Sequence, residues 1–270
     1  STDNINNIKF GDKLDLVKAA VKIMEPNYGF NLETYAEFEP GTGLGGSSAV
    51  VVAVLGALNY FRNDQHLDIY KLADLAYQVE RIDMKISGGW QDQYATAFGG
   101  FSWIEFRQNE VLVSPIQLQR EVQLELEYNL MLFRIGGNRE STIIQKEHIK
   151  NIKQNEKDLE SMYHIAKQMR DALLRGQVKV FADLLDESWR LKQKINKVVT
   201  NELVNESYNI ARKLGALGGK LLGAGESGYL LIFSSPLYQK EIKRALELKG
   251  IIQESFKFCN NGLEVWSTKR

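Results

Sequence analysis

The segment Pro40-Gly41-Thr42-Gly43-Leu44-Gly45-Gly46-Ser47-Ser48-Ala49 constrains this chain more than any other. Before it, Leu32, Thr34, Ala36 and Phe38 alternate with Asn31, Glu33, Tyr35 and Glu37, the period of a strand with one wet face. After it, Ala49 to Phe61 (AVVVAVLGALNYF) is too apolar for a surface helix and too long for a strand, so it reads as a buried helix. A glycine loop between such elements turns backbone N–H groups and a helix N-terminus toward one place, and that place favours an anion. Ser47 or Ser48 can cap the helix, bind a phosphate oxygen or ligate Mg²⁺. The loop is not a Walker A sequence, because no lysine follows its glycines to reach the terminal phosphates.

Composition excludes more than it selects. With 44 % hydrophobic and 25 % charged residues over 270 positions, the chain can bury one large core or two small ones and fits neither disorder nor a membrane class. Lys plus Arg (34) balances Asp plus Glu (34), so no overall field gathers nucleic acid or anionic lipid. Cys259, the only cysteine, excludes an internal disulfide and suits a reducing cytoplasm. No run of about eighteen apolar residues occurs. The polar start leads into a helix rather than an opening strand, which leads us to expect residues upstream of Ser1.

Along the chain, Asp12–Met24 and Leu67–Ile82 read as amphipathic helices, and Phe101–Phe106, Glu110–Ile116 and Tyr128–Ile135 as strands. A charged, helix-periodic stretch runs from Arg139 to about Leu217. Lys220–Gly223 and Tyr229–Phe233 then read as strands, Pro236–Leu248 as a helix, and Ile251–Phe258 and Gly262–Trp266 as final strands. Strands and helices do not alternate regularly, so the expected class is α+β. The boundary falls near 125, giving domains 1–125 and 126–270.

Two further segments carry chemistry. Glu80 to Gly100 (ERIDMKISGGWQDQYATAFGG) gathers Glu80, Asp83 and Asp92 around a glycine pair. Phosphoryl transfer asks for one carboxylate to hold Mg²⁺ and another to orient or deprotonate a hydroxyl. The second, Gly223-Ala224-Gly225-Glu226-Ser227-Gly228, matches GxGxxG, but strand-like runs flank it on both sides, so it is no dinucleotide turn. It is either a tight hairpin or a substrate-facing loop. His66, His148 and His164 lack metal-ligand spacing.

Together PGTGLGGSSA, GGWQDQYATAFGG and KLLGAGESGYLLIF, in this order and spacing, resemble the three motifs of the GHMP kinase superfamily. The resemblance implies an ATP-dependent phosphotransferase with Pro40, Gly41, Thr42, Gly43, Leu44, Gly45, Gly46, Ser47 and Ser48 around the nucleotide. It implies Ser48 and Glu80 as Mg²⁺ ligands and Asp92 as the base or orienter for the acceptor hydroxyl. It also implies a ribosomal-protein-S5-like first domain and a ferredoxin-like second one. The finer wording, including Gly137-Asn138-Arg139-Glu140-Ser141 and ESWRLKQKI at Glu187–Ile195, resembles the branch acting on D-glycero-D-manno-heptose 7-phosphate. Arg139 is then either a clamp for the sugar's phosphate or a surface arginine, with Gly225, Glu226 and Ser227 at the substrate. A fucose- or galactose-like sugar, mevalonate, or a silent nucleotide- or sugar-binding role are the other readings, in a monomer or homodimer with no nucleic-acid or membrane partner. Two positions depart from the family pattern: Glu39 stands where many relatives have a proline, and Glu226-Ser227 replaces glycines. The family's upstream strand and substrate motif are absent from the sequence, which again points to missing upstream residues.

Overall fold

Gly46–Tyr60 is apolar almost all round, with only Ser47, Ala53 and Tyr60 exposed, and it folds as the central helix of its unit. In the computed structural model, which describes residues 4–37, 43–62, 65–108, 110–136, 155–223 and 225–268, this helix is α2. It packs against α1 (Asp15–Met24), α3 (Ile69–Tyr77) and α4 (Gln91–Phe98). Val51, Val52, Val54, Leu55 and Leu58 of α2 meet Ala20 and Met24 of α1, Leu72 and Ala76 of α3, and Tyr94 and Ala97 of α4 in one buried cluster. α3 continues into a π-helical segment, Gln78–Asp83. An antiparallel hairpin of β1 (Ser102–Phe106) and β2 (Val111–Pro115) follows α4.

The chain divides into two compact units: Ser1–Pro40, Gly45–Pro115 and Cys259–Arg270 form the first, and Gly41–Leu44 with Ile116–Phe258 the second. In the second unit, α5 (Arg120–Asn129) leads into β3 (Leu130–Ile135). Three helices follow: α6 (Glu156–Leu174), α7 (Val178–Ile195) and α8 (Glu202–Lys213). The chain then forms β4 (Ala216–Leu221), β5 (Gly228–Ser234), α9 (Pro236–Glu247) and β6 (Ile252–Glu254). The sheet order is β4-β5-β3-β6, antiparallel throughout, which is the strand order of a ferredoxin-like sheet. β3 and β5 are the central pair and almost entirely buried, which is why LMLFRI and GYLLIFS run apolar without alternating. Both sheets are antiparallel, and helices and strands are segregated, so the class is α+β.

Four sequence expectations need correction. Asn31 to Glu37 is irregular and largely exposed, because alternation makes a strand only where a neighbour accepts its backbone hydrogen bonds, and none runs beside it among the described residues. Tyr128 belongs to α5, whose Val122 and Leu126 supply a buried i, i+4 pair. The strand expected over Ile251–Phe258 is only Ile252–Glu254. Gly262–Trp266 is not a strand: Leu263 donates its backbone N–H to the Ala97 carbonyl at 2.9 Å and presses its side chain onto Gly56 of α2, so this segment packs as an irregular strap.

Helix α7 lies unusually close to the sheet. A Cβ added at Gly218 of β4 would stand 2.0 Å from the Ala182 carbonyl oxygen, so only glycine admits the α7 backbone there. Ala182, Leu185 and Trp189 form the buried stripe that this approach seats. Gly218→Ala should lower unfolding stability by about 3 kcal/mol through this overlap, as measured by equilibrium urea denaturation.

Candidate active site

A fully buried carboxylate, that of Glu80, organises the site in the first unit. It is presented by the π-helical segment after α3, a wide turn that shifts side chains off the ordinary helical face. Ser47 Oγ donates to Glu80 Oε1 and Ser48 Oγ to Glu80 Oε2, each at 2.6 Å. Gln93 Nε2, from α4, also donates to Oε2. Two of these donors lie in the first turn of α2 and the third on α4, so one acid side chain joins three elements. Neutral donors alone satisfy it, and no cation reaches it within ion-pair distance among the described residues. The Gln93 Oε1 atom is buried beside it without a partner.

Asp92 occupies the first turn of α4, where the helix dipole favours a carboxylate. A Cβ built on Gly45 would stand 3.8 Å from Asp92 Cβ and from Thr96 Oγ1, so the loop's end and the Asp92 turn are neighbours. Arg81 Nη2 lies 4.0 Å from Asp92 Oδ2, and its Nε donates to the Gly89 carbonyl at 3.1 Å. The guanidinium rests on the bare backbone of Gly88. Desolvation raises the Asp92 pKa above the ordinary carboxylate value; the Arg81 charge opposes that rise and Glu80 adds to it. Asp92 keeps 47 % of its side-chain surface, so the desolvation is partial and the group can still reach a ligand. Two aromatic contacts fix the turn: Trp90 stacks on Tyr77 at 3.8 Å between ring centres, and the Tyr94 hydroxyl donates to Asp74.

Ser47, Ser48, Glu80 and Asp92 thus come together with Gly45 and Gly46 in the first unit. Gly43 and Leu44 belong to the second unit, as do Gly225, Glu226 and Ser227. These last form the hairpin between β4 and β5: Glu226 takes a left-handed backbone (φ 62°), donates its N–H to the Val199 carbonyl at 2.9 Å, and accepts from Asn201 Nδ2 at 2.7 Å. Pro40, Gly41, Thr42 and Arg139 lie outside the described residues. Sequence reasoning missed Arg81 and Gln93, although each adjoins a residue it selected and the Gly88-Gly89 pair marks where the guanidinium lies. No group of three or more His, Cys, Asp or Glu side chains is gathered for a metal among the described residues. Two hydroxyls, one carboxylate and a spare amide oxygen are all hard oxygen donors, a set that suits Mg²⁺ when a phosphate supplies further oxygens.

The comparisons agree with one another. The family profile for the GHMP kinases N terminal domain matches residues 15–100, and that for the GHMP kinases C terminal matches residues 169–252. The chain is 36 % identical to the D-glycero-alpha-D-manno-heptose 7-phosphate kinase of Campylobacter jejuni over 263 residues, covering 94 % of this chain and 77 % of that one. It is 28 % identical to the bifunctional fucokinase/GDP-fucose pyrophosphorylase of Arabidopsis thaliana, covering 92 % of this chain and 24 % of that longer protein. A solved D-glycero-D-manno-heptose 1-phosphate kinase from Bacteroides thetaiotaomicron superposes with a TM-score of 0.70 at 30 % identity, covering 96 % of this chain and 78 % of that one.

The Glu80 cluster also bears on stability. Ser48→Ala removes a donor from a buried carboxylate and should cost about 1–3 kcal/mol in chemical denaturation. Ser47→Ala should cost less, since Ser47 is exposed and water can replace its hydroxyl.

Proposed function

The chain belongs to the GHMP kinase family and is therefore an ATP-dependent phosphotransferase with a hydroxyl acceptor; on that premise we propose that it phosphorylates D-glycero-D-manno-heptose 7-phosphate to the 1,7-bisphosphate. The observation that carries the reading is the cluster in which the loop's serines are tied to Glu80 while Asp92 adjoins the same loop end. The acceptor is drawn from the heptose 7-phosphate kinase similarity.

In this reading the N-terminus of α2 and the N–H groups of the glycine loop receive the phosphates of ATP. Ser48 and Glu80 would hold Mg²⁺, with Ser47 beside them, and the ion would supply neutralisation of phosphate charge. Asp92 orients the acceptor hydroxyl and accepts its proton as the oxygen attacks the γ-phosphorus, while ADP leaves with the bridging electron pair. Arg81 holds Asp92 in place and favours its ionised form. Arg139 is proposed as the clamp for the sugar's own phosphate. A second reading, with heptose 1-phosphate as acceptor, is favoured by the similarity to the solved 1-phosphate kinase.

Asp92→Asn should leave ATP binding intact and cut turnover by at least about a hundredfold, read by ADP release. Wild-type-like turnover would overturn its role. Turnover should fall as pH drops through the raised Asp92 pKa, because the acceptor needs the ionised carboxylate; Arg81→Met removes the cation that opposes the rise, so that limb should move to higher pH. Glu80→Gln should raise the Mg²⁺ concentration needed for half-maximal rate. ADP release over a panel of heptose 7-phosphate, heptose 1-phosphate, free sugars and mevalonate decides the acceptor, and ligand-induced stabilisation with no ADP formed from any of them would favour a silent binder.

A further inference from the structure

Most lysines with resolved partners in this chain face a carboxylate: Lys18 has Asp12, Lys194 has Asp158, and Lys249 has Glu206. Lys192 and Lys220 do not. Lys192 lies on α7 and Lys220 on β4, two residues beyond the Gly218 position that lets α7 settle against the strand. Alternation along β4 puts Lys220 on the same face as Gly218, and the 182, 185, 189, 192 stripe of α7 lies over that face. Lys192 and Lys220 therefore both belong to the face on which α7 meets β4, near the end of the strand. Each has its pKa lowered, Lys192 to about 8, by desolvation first and then by the charge of Lys220, and Lys220 by desolvation. Neither has an ion-pair partner among the described residues, and Lys192 Nζ donates to the Gly223 carbonyl at 2.8 Å.

The Gly223 carbonyl places Lys192 beside the glycine loop. A Cβ built on Gly43 would stand 3.0 Å from Gly223 Cα, and one built on Gly223 would stand 2.6 Å from Gly43 Cα, so the two backbones touch within the second unit. Gly43 belongs to the glycine loop, whose sequence carries no lysine of its own. A partly desolvated pair of like charges costs stability unless an anion completes it. A phosphate held beside the glycine loop would supply that anion.

We propose that Lys192 and Lys220 form a phosphate-binding subsite of the second unit, occupied by a phosphate group of one of the enzyme's substrates. The subsite supplies from α7 and β4 the positive charge that a Walker loop would carry within itself. The phosphate belongs either to the nucleotide's anhydride chain or to the phosphate ester of the acceptor. Which of these it is rests on the kinase reading above, whereas the anion site itself does not.

The test uses the full chain and the variants Lys192→Met, Lys220→Met and Lys192→Arg. Calorimetric titration with inorganic pyrophosphate reads the site without turnover: both methionine variants should bind at least about tenfold more weakly than wild type, and Lys192→Arg should retain most of the affinity. Melting temperatures should stay level or rise in the methionine variants, because an uncompensated charge has been removed, which a structural role for the lysines would not produce. Steady-state kinetics then separate the sources. A KM increase of about tenfold for ATP alone assigns the nucleotide, and the same increase for the heptose phosphate alone assigns the acceptor. Should wild type turn over no acceptor, the kinase reading fails while the pyrophosphate titration still decides the site. Wild type that fails to bind pyrophosphate, or methionine variants that match wild type within twofold for pyrophosphate and both substrates, overturns the proposal.

Discussion

The Glu80 carboxylate is the constraint on which the site depends. A buried acid must be hydrogen-bonded or neutralised, and here its oxygens accept from Ser47, Ser48 and Gln93. The first turn of α2, the π-helical segment and α4 are therefore held in register by one side chain. Ser47 and Ser48 are short side chains in the first turn of α2, so their bonds to Glu80 hold the end of the glycine loop. The apolar packing of α2 supplies the free energy that keeps the acid buried; the acid supplies the orientation that packing alone leaves open.

The two units treat charge differently. In the first, Asp92 is balanced by Arg81, which is itself nearly buried at 8 % side-chain exposure and held by the Gly89 carbonyl, so the carboxylate is tuned and aimed. In the second, Lys192 and Lys220 lie where α7 meets β4, and neither is paired with a carboxylate among the described residues. In the proposed function the balanced pair is the acid-base group, and in the proposed subsite the unbalanced lysines receive the anion. Both arise from glycines that allow close approach: Gly88 under the Arg81 guanidinium, and Gly218 under α7.

Much of this was legible in the sequence because it rests on local pattern. Helical spacing marks α1, an apolar run too long for a strand marks α2, and short apolar runs mark β3 and β5. Ser48, Glu80 and Asp92 are picked out by the resemblance of their segments to known motifs, and they lie near one another in the first unit. Asn31 to Glu37 misled because period two describes a surface, whereas a strand needs a partner. Gly262–Trp266 misled for the converse reason: Leu263 packs on Gly56 of α2 and bonds the Ala97 carbonyl of α4 while Val265 and Trp266 stay exposed, an arrangement that no local pattern reveals. Arg81 and Lys192 were hidden because their significance lies in what they approach on other elements, Asp92 at the start of α4 and Gly223 after β4, and nothing in a lysine's immediate neighbours says that its ammonium lacks a carboxylate.

The strap around Leu263 has a consequence for how the chain comes to be folded. Its contacts with Gly56 and Ala97 place Cys259–Arg270 in the first unit, although that unit's other parts end at Pro115. The second unit is thus an insertion within the first. During synthesis the later unit can close while the earlier one still lacks its last layer, so the order of completion inverts the order of emergence. Until Leu263 leaves the ribosome, the face of α2 at Gly56 stands uncovered, and the helix whose first turn carries Ser47 and Ser48 is the one left waiting.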